Sequence, residues 1–188
     1  LQDSISVSEL MKILNLSFPT LNTLILELVS QNLLVQNERG ESIGGRKPNL
    51  YQLRDGIFNV LCLQVDRFSI KVSYLDNNNR LLKPSKVLPQ ELSRDLEGLE
   101  SFVDIIKEYI RENNILDSEL SGLAISMPGL VDPSKGKNYS FFYELDFDLK
   151  RSLEEIFKKK VYIINDVKLT TYTEKSFGAL KNIENGLT

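Results

Sequence analysis

The sequence contains no histidine and only one cysteine, Cys62. Without histidine, Ser-His-Asp and Cys-His catalysis are excluded, as is every histidine-ligated metal site. Any acid or base chemistry must therefore use carboxylates, lysine or tyrosine. A single cysteine cannot form an internal disulfide, and its place in the apolar run 59–65 predicts a buried thiol in a strand.

Long apolar runs and a strong charge of either sign are also missing. No segment approaches the roughly 18 apolar residues that a membrane span requires, and no secretion signal opens the chain. We therefore expect a cytoplasmic protein without membrane contact. The net charge of −3 gives no global indication of a nucleic-acid partner. A length of 188 residues fits one large domain, or a medium domain with a small one.

Residues 1–54 have the pattern of two short helices. Ser6-Val7-Ser8-Glu9 has the spacing of a capping box, which predicts a helix over about 7–14. After a polar break, apolar residues at helical spacing predict a second helix over about 17–31, with a proline in its first turn. Two short helices joined by a tight turn are typical of a helix-turn-helix.

Two strand-like runs, 33–36 and 49–53, follow these helices and predict a β-hairpin with a long tip. Helix pair and hairpin together predict a winged helix-turn-helix domain, in which the second helix enters the major groove and the hairpin meets the DNA backbone. The candidate DNA contacts are short polar residues at the start of the second helix and two cations of the hairpin: Ser17, Thr20, Asn22, Thr23, Arg46 and Lys47.

The charge of residues 1–54 leaves a second interpretation open. This segment has five lysines and arginines against five acids, and the predicted second helix has no cation. Because phosphate contacts supply much of the affinity for DNA, a single such module should bind weakly. A winged helix that binds protein is the alternative.

Residues 55–188 have the pattern of a second domain with the order β-β-β-α-β-α-β-α, in which the first three strands form an antiparallel meander and a loop through 132–136 follows the fourth. The last strand, predicted over 161–164, runs directly into Asn165-Asp166 and then into a helix. Ligands of open α/β sheets bind beyond the carboxyl ends of the strands, so both side chains are candidate ligand contacts. The alternative is that Asp166 only caps the helix that follows.

Several motifs, in this order and spacing, resemble the ROK family, which groups bacterial sugar kinases with sugar-responsive transcriptional regulators. The motifs are Leu16-Ser17, Gly44-Gly45-Arg46-Lys47-Pro48, Met127-Pro128-Gly129-Leu130-Val131-Asp132 with Gly136, and Asn165-Asp166 with Glu174 and Gly178-Ala179. The resemblance covers nearly the whole chain. It implies an α/β protein: a winged helix-turn-helix followed by one lobe of an actin-like, ribonuclease-H-like sugar kinase fold.

The resemblance also implies roles for three residues. In a kinase relative Asp166 would be the catalytic base toward a sugar hydroxyl, whereas in a regulator it would remain a hydrogen-bond acceptor beside the Asn165 amide. Gly129 would leave room for the sugar ring against the backbone. The alternative for Gly129 is a plain turn at the end of a strand.

One departure from the family concerns the phosphate loop. Family kinases carry Asp-x-Gly-Gly-Thr-Lys between the first two strands, where this chain has Asp66-Arg67-Phe68-Ser69-Ile70-Lys71. Side chains at Phe68 and Ser69 prevent the close backbone approach that phosphates need. We therefore expect no kinase activity and no nucleotide cofactor. A sugar kinase with an unusual phosphate loop is the alternative.

Two further departures concern the ends of the chain. The family's second lobe, with its zinc-binding cysteines and histidine, would lie beyond Thr188, and its winged helix usually has one more helix before Ile5. We expect this chain to lack both. The resulting hypothesis is a repressor of carbohydrate-metabolism genes that binds operator DNA as a homodimer and is controlled by a sugar or sugar phosphate. A regulator without ligand response is a third possibility.

Overall fold

The computed structural model describes residues 4–37, 48–91, 96–142, 148–181 and 183, and the chain divides into two units, Leu1–Ile57 and Phe58–Thr188. Each unit has its own hydrophobic core. Within the described ranges no single helix is long and apolar enough to cross a membrane. Two helices of the first unit reach that length and apolarity only when joined across a bend of 113°.

The first unit consists of two helices and a three-stranded sheet. Its elements are β1 (Ile5–Ser6), α1 (Val7–Leu14), α2 (Phe18–Ser30), β2 (Leu34–Asn37) and β3 (Leu50–Leu53). The strand order is β1-β3-β2, and both pairings are antiparallel. Strands β2 and β3 are the two predicted hairpin strands. The tip between them, with Arg46 and Lys47, lies outside the described residues. Strand β1 was not predicted, because two residues show no periodicity.

Helix α1 begins at the predicted capping box. The Ser6 hydroxyl accepts the Glu9 backbone N–H at 3.2 Å, and the Ser6 backbone N–H donates to the Glu9 carboxylate at 3.0 Å. The Ser6 hydroxyl also donates to that carboxylate at 2.7 Å. These bonds satisfy donors at the helix start that would otherwise lack partners. The hydrogen bonds that the Glu9 carboxylate accepts hold its pKa below the usual value. The bond from the Ser6 hydroxyl has the larger effect and the bond from the Ser6 backbone N–H the smaller one.

Helix α2 packs one face on the sheet of the first unit. Leu21 and Ile25 are buried together with Tyr51 of β3. Ser17 is the N-cap residue, but its side chain makes no bond to the helix backbone. The Ser17 hydroxyl instead pairs with the Thr20 hydroxyl at 2.9 Å.

The second unit is a five-stranded mixed sheet with helices. Its elements are β4 (Asn59–Val65), β5 (Ser69–Asp76), β6 (Leu81–Pro89), α3 (Leu96–Glu112), β7 (Leu120–Met127), β8 (Val131–Asp132), β9 (Lys137–Asn138), α4 (Leu149–Phe157), β10 (Lys160–Asn165) and α5 (Asp166–Phe177). The strand order is β10-β7-β4-β5-β6. Strand β7 is parallel to β4 and β10, and β4, β5 and β6 form the predicted antiparallel meander. The short β8–β9 hairpin stands where a loop was predicted.

The core of the second unit lies on one face of this sheet. Strand β4 alternates, with Leu61, Leu63 and Val65 buried in the core and Cys62 and Gln64 on the opposite face. Helices α3 and α4 cover the core face with apolar side chains. Cys62 lies in a strand, as predicted, but its thiol is only partly buried. That burial raises the pKa of the Cys62 thiol.

Ser6→Ala removes the hydroxyl that caps α1, so we expect the free energy of unfolding of the first unit to fall by about 1 kcal/mol. Native-state hydrogen exchange of the α1 and α2 amides measures it. Because the pKa of Glu9 is lower in the folded state, its carboxylate adds its full stability at pH values above the unfolded-state pKa of about 4.3. This contribution decreases as the pH falls below that value and is lost below the lowered pKa of the folded state.

Ser30→Ala is the matched control for this prediction. The exposed Ser30 hydroxyl donates to the Glu27 carbonyl oxygen in the last turn of α2 and caps no helix start. Its removal should change stability by less than about 0.5 kcal/mol. Equal losses in the two variants would show that the capping box does not stabilise the unit.

Candidate functional site

The parallel strands of the second unit bring three polar segments to one edge of the sheet. Strands β4, β7 and β10 end at Val65, Met127 and Asn165. Because the three strands are parallel, these carboxyl ends lie at the same edge. The residues that follow them are the turn 66–68, the Pro128-Gly129 loop and the Asn165-Asp166 pair.

Asn165 joins the last two of these segments through its side-chain amide. Its Oδ1 accepts the Lys168 backbone N–H at 3.0 Å, which caps α5. Its Nδ2 donates to the Gly129 carbonyl oxygen at 2.9 Å and to Asp166 Oδ1 at 3.0 Å. Asn165 is therefore the N-cap residue of α5, although Asp166 also accepts one backbone N–H of the first turn, as its alternative role requires.

Asp166 is the first residue of α5 and presents one carboxylate oxygen that the fold does not use. Its Oδ1 accepts the Val167 backbone N–H at 2.8 Å as well as the Asn165 amide. Its Oδ2 has no hydrogen-bond partner among the residues that the structure describes. A half-buried carboxylate with one oxygen fixed and one available can accept a ligand hydroxyl through a charge-assisted hydrogen bond.

Asp166 lines a hollow of about 540 Å³ on the sheet face opposite the core. Small-molecule sites are typically about 300–1,000 Å³. Its polar lining includes Gln64 of β4, Ser126 of β7 and Thr170 of α5. Apolar groups, among them Tyr162 of β10, line other parts of it. Gln64, Ser126 and Thr170 were not predicted as site residues, although strand alternation puts Gln64 on the face opposite Leu63 and Val65.

Gly129 lies beside this hollow rather than in its lining. Its φ is +94°, a conformation that favours glycine. A Cβ atom at this position would lie 2.6 Å from Ser140 Cβ and 2.8 Å from its Oγ. The requirement for glycine therefore comes from the positive φ together with the packing of Ser140, and the contact of Gly129 with a ligand stays a prediction.

Two other acids of the family motifs accept hydrogen bonds within the fold. The Asp132 carboxylate accepts the Ser134 hydroxyl and the backbone N–H groups of Ser134 and Lys135. These bonds lower the pKa of the Asp132 carboxyl, and the bond from the Ser134 hydroxyl has the largest effect. The Glu174 carboxylate accepts the Ala179 backbone N–H at 3.0 Å and so fixes the chain that leaves α5.

The turn that replaces the phosphate loop is a tight connection between β4 and β5. The Asp66 backbone N–H donates to the Ser69 carbonyl oxygen at 2.8 Å. No residue from 66 to 71, all of which the structure describes, has a positive φ. Phe68 is 61% exposed at the tip, with the Arg67 guanidinium 5.2 Å from its ring centroid, whereas Ile70 is fully buried.

The predicted DNA contacts on α2 lie near its start. Ser17, Thr20 and Thr23 are exposed and Asn22 is half-buried. The Thr23 hydroxyl donates to the Pro19 carbonyl oxygen at 3.0 Å, in addition to the Ser17–Thr20 pair.

In the described ranges no three histidine, cysteine, aspartate or glutamate side chains come together as ligands for a metal ion.

A sequence model described as the ROK family matches residues 60–188. The chain belongs to the ROK family. Among curated relatives, the xylose repressor of Bacillus subtilis (strain 168) is 26% identical over 196 residues, which cover 96% of this chain and 47% of the relative. The DNA-binding transcriptional dual regulator NagC of Escherichia coli (strain K12) is 24% identical over 164 residues, covering 86% of this chain and 40% of NagC. This ROK chain thus spans about half the length of these relatives.

Solved ROK structures share the fold. A ROK family transcriptional regulator, described as a homolog of the Escherichia coli MLC protein, has a TM-score of 0.72 at 19% identity, covering 92% of this chain and 44% of the other. The ROK hexokinase from Thermus thermophilus has a TM-score of 0.52 at 22% identity, covering 66% and 39%. The mixed α/β fold of the second unit is therefore that of ROK sugar kinases.

Gly129→Ala should destabilise the second unit by about 2 kcal/mol or more, because it combines a strained φ with overpacking against Ser140. Chemical denaturation measures this loss. Gly56→Ala is the matched control, since Gly56 also has a positive φ of +71° but no atom within 4 Å of the added Cβ. It should cost its own unit about 1 kcal/mol. Equal costs would contradict the packing explanation.

Proposed function

We propose that this chain is the DNA-binding and ligand-sensing part of a sugar-responsive transcriptional repressor. The first unit, which the sequence predicts as residues 1–54, acts as a winged helix-turn-helix. The second unit acts as one lobe of a sugar-binding fold. The observation that carries the proposal is the Asn165-Asp166 pair at the strand ends, with Asp166 Oδ2 available for a ligand hydroxyl in a chain of the ROK family. Relatives named xylose repressor and N-acetylglucosamine repressor support it.

The chemistry of the pair suits a neutral polyol. A carboxylate oxygen accepts a hydroxyl proton strongly, and Gln64, Ser126 and Thr170 add groups that both donate and accept. The Asn165 amide is already used by three bonds inside the fold, so we propose that it orients Asp166 and contributes to binding through that role.

We propose that the chain does not transfer phosphate. In the turn that replaces the phosphate loop, the Asp66 backbone N–H already donates to the Ser69 carbonyl oxygen. The Phe68 carbonyl oxygen accepts the Gln90 backbone N–H at 3.0 Å. A cradle for phosphate needs several backbone N–H groups that point at the ligand. The buried Ile70 offers no hydroxyl. A ROK sugar kinase is the competing function, supported by the shared fold.

For DNA binding, the proposal relies on α2 and the hairpin. The exposed hydroxyls of Thr20 and Thr23 are suited to base edges, and Arg46 and Lys47 would meet phosphates. Since α2 has no basic residue, most of the electrostatic affinity must come from outside it. Two half-sites bound by a homodimer would supply that affinity. The alternative remains a winged helix that binds protein.

Asp166→Asn keeps the size of the side chain but removes its charge, so the affinity for a bound sugar should fall about ten- to hundredfold. Isothermal titration calorimetry with D-xylose and N-acetyl-D-glucosamine measures it. Asp132→Asn is the matched control, because the Asp132 carboxylate fixes a turn outside the lining of the hollow. ATP-dependent phosphorylation of either sugar, lost in Asp166→Asn, would establish the kinase instead.

Arg46→Ala combined with Lys47→Ala should weaken binding to a mixed-sequence DNA duplex and reduce the slope of log affinity against log salt by about two. Gel shifts across salt concentrations measure both quantities. Arg151→Ala is the control, since Arg151 is an exposed cation of α4 paired with Glu155. Unchanged DNA affinity in the double variant would remove the hairpin cations from the account.

A further inference from the structure

Asn138 is an unusual residue for its position. It is the second residue of β9, opposite Val131 of β8, and it is only 4% exposed. Asparagine is depleted in strands, and burying an amide costs free energy unless hydrogen bonds replace those with water. An apolar β-branched side chain would suit the strand better. The specific contacts of Asn138 must therefore compensate for its burial.

The side chain of Asn138 has three such contacts. Its Oδ1 accepts the backbone N–H groups of Ser140 at 2.9 Å and Phe141 at 3.1 Å. Its Nδ2 donates to the Pro128 carbonyl oxygen at 2.9 Å. Because only the oxygen can accept the two N–H groups, the orientation of the amide is fixed, and Nδ2 has to point at Pro128.

Two asparagines thus hold two consecutive carbonyl groups of one loop. Asn138 binds the Pro128 carbonyl oxygen from β9, and Asn165 binds the Gly129 carbonyl oxygen from the start of α5. Ser140 fixes the next residue, because its hydroxyl accepts the Leu130 backbone N–H at 3.0 Å. With Gly129 packed on Ser140, the loop has little freedom to move at either carbonyl.

We infer that Asn138 is a positioning residue for the Asn165-Asp166 pair. Its amide fixes the Pro128-Gly129 backbone, the Gly129 carbonyl fixes the Asn165 amide, and that amide fixes Asp166 Oδ1 so that Oδ2 faces the ligand. Asn138 itself touches no ligand in this arrangement. The inference rests on the proposed function in one respect, namely that Asp166 accepts a hydroxyl of a sugar.

Asn138→Asp removes the Nδ2 donor and leaves the rest of the side chain unchanged. The variant keeps an oxygen for the Ser140 and Phe141 N–H groups but places a second oxygen against the Pro128 carbonyl. Asn113→Asp is the matched control, because Asn113 Nδ2 also donates to a backbone carbonyl oxygen, that of Tyr109 at 3.0 Å, at the end of α3. The readouts are the Asn165 side-chain ¹⁵N–¹H resonances, thermal melting, and calorimetric titration with D-xylose and N-acetyl-D-glucosamine.

The expected result is a shift of the Asn165 side-chain resonances in Asn138→Asp and none in Asn113→Asp. Sugar affinity should fall about tenfold in the first variant only. Unshifted Asn165 resonances would overturn the inference, as would unchanged sugar affinity. If the unaltered chain binds neither sugar while the resonances shift, the positioning role stands and the sugar-binding function fails.

Asn165→Ala tests the same coupling from the other side and does not disturb the β8–β9 hairpin directly. If the loop connects the two asparagines, the side-chain resonances of Asn138 must shift in this variant. It therefore decides the inference even if Asn138→Asp does not fold. Unshifted Asn138 resonances in a folded Asn165→Ala chain would overturn it.

Discussion

The candidate site depends on the parallel pairing of β7 with its two neighbours. Gly122 of β7 stands opposite Lys160 of β10, where a Cβ atom would lie 2.8 Å from the Lys160 carbonyl oxygen. Any side chain at this point would push the two strands apart. Because β7 lies between β4 and β10, their carboxyl ends meet at one edge, and residues distant in sequence come within hydrogen-bonding distance. The Asn165 amide and the Gly129 carbonyl are the pair that shows this most directly.

The proposed function assigns binding rather than chemistry to the arrangement at this edge. Side-chain amides of Asn138 and Asn165 organise it, and they are neutral groups with fixed donors and acceptors. The Asp166 carboxylate, which the Asn165 amide holds by one oxygen, has its other oxygen without a partner among the described residues. Where family kinases are expected to hold phosphate, this chain has an exposed Phe68 and a buried Ile70. Under the proposed function, a sugar is recognised here without a second substrate being held for reaction.

Much of the fold could be predicted from the sequence, because local signals agree with the final structure. The capping box Ser6 to Glu9 marked the start of α1, and the apolar run before Asn165 marked β10. The cap of α5 could not be assigned, since Asn165 and Asp166 are both good capping residues and each accepts a backbone N–H of the first turn. Strands β1, β8 and β9 have two residues each and form through long-range pairing, which leaves no local pattern.

The site residues that sequence reasoning missed share one physical cause. Gln64, Ser126 and Thr170 come together only through strand register and the packing of α5, which a single sequence does not specify. Asn138 was missed because an asparagine near a glycine indicates a turn, whereas here it is buried in a strand. The place of Asp166 after a strand predicts a carboxylate that can meet a ligand. It does not predict that Oδ1 is held by the Asn165 amide and the Val167 backbone N–H.

The central claim is that Asp166 binds a sugar hydroxyl at this edge of the sheet while no nucleotide binds beside it. A crystal structure of the protein grown with D-xylose or N-acetyl-D-glucosamine and ATP tests it most directly. The account predicts a sugar hydroxyl within hydrogen-bonding distance of Asp166 Oδ2 and no phosphate at the Asp66–Lys71 turn. Nucleotide bound against Phe68, or sugar bound away from Asp166, would contradict it.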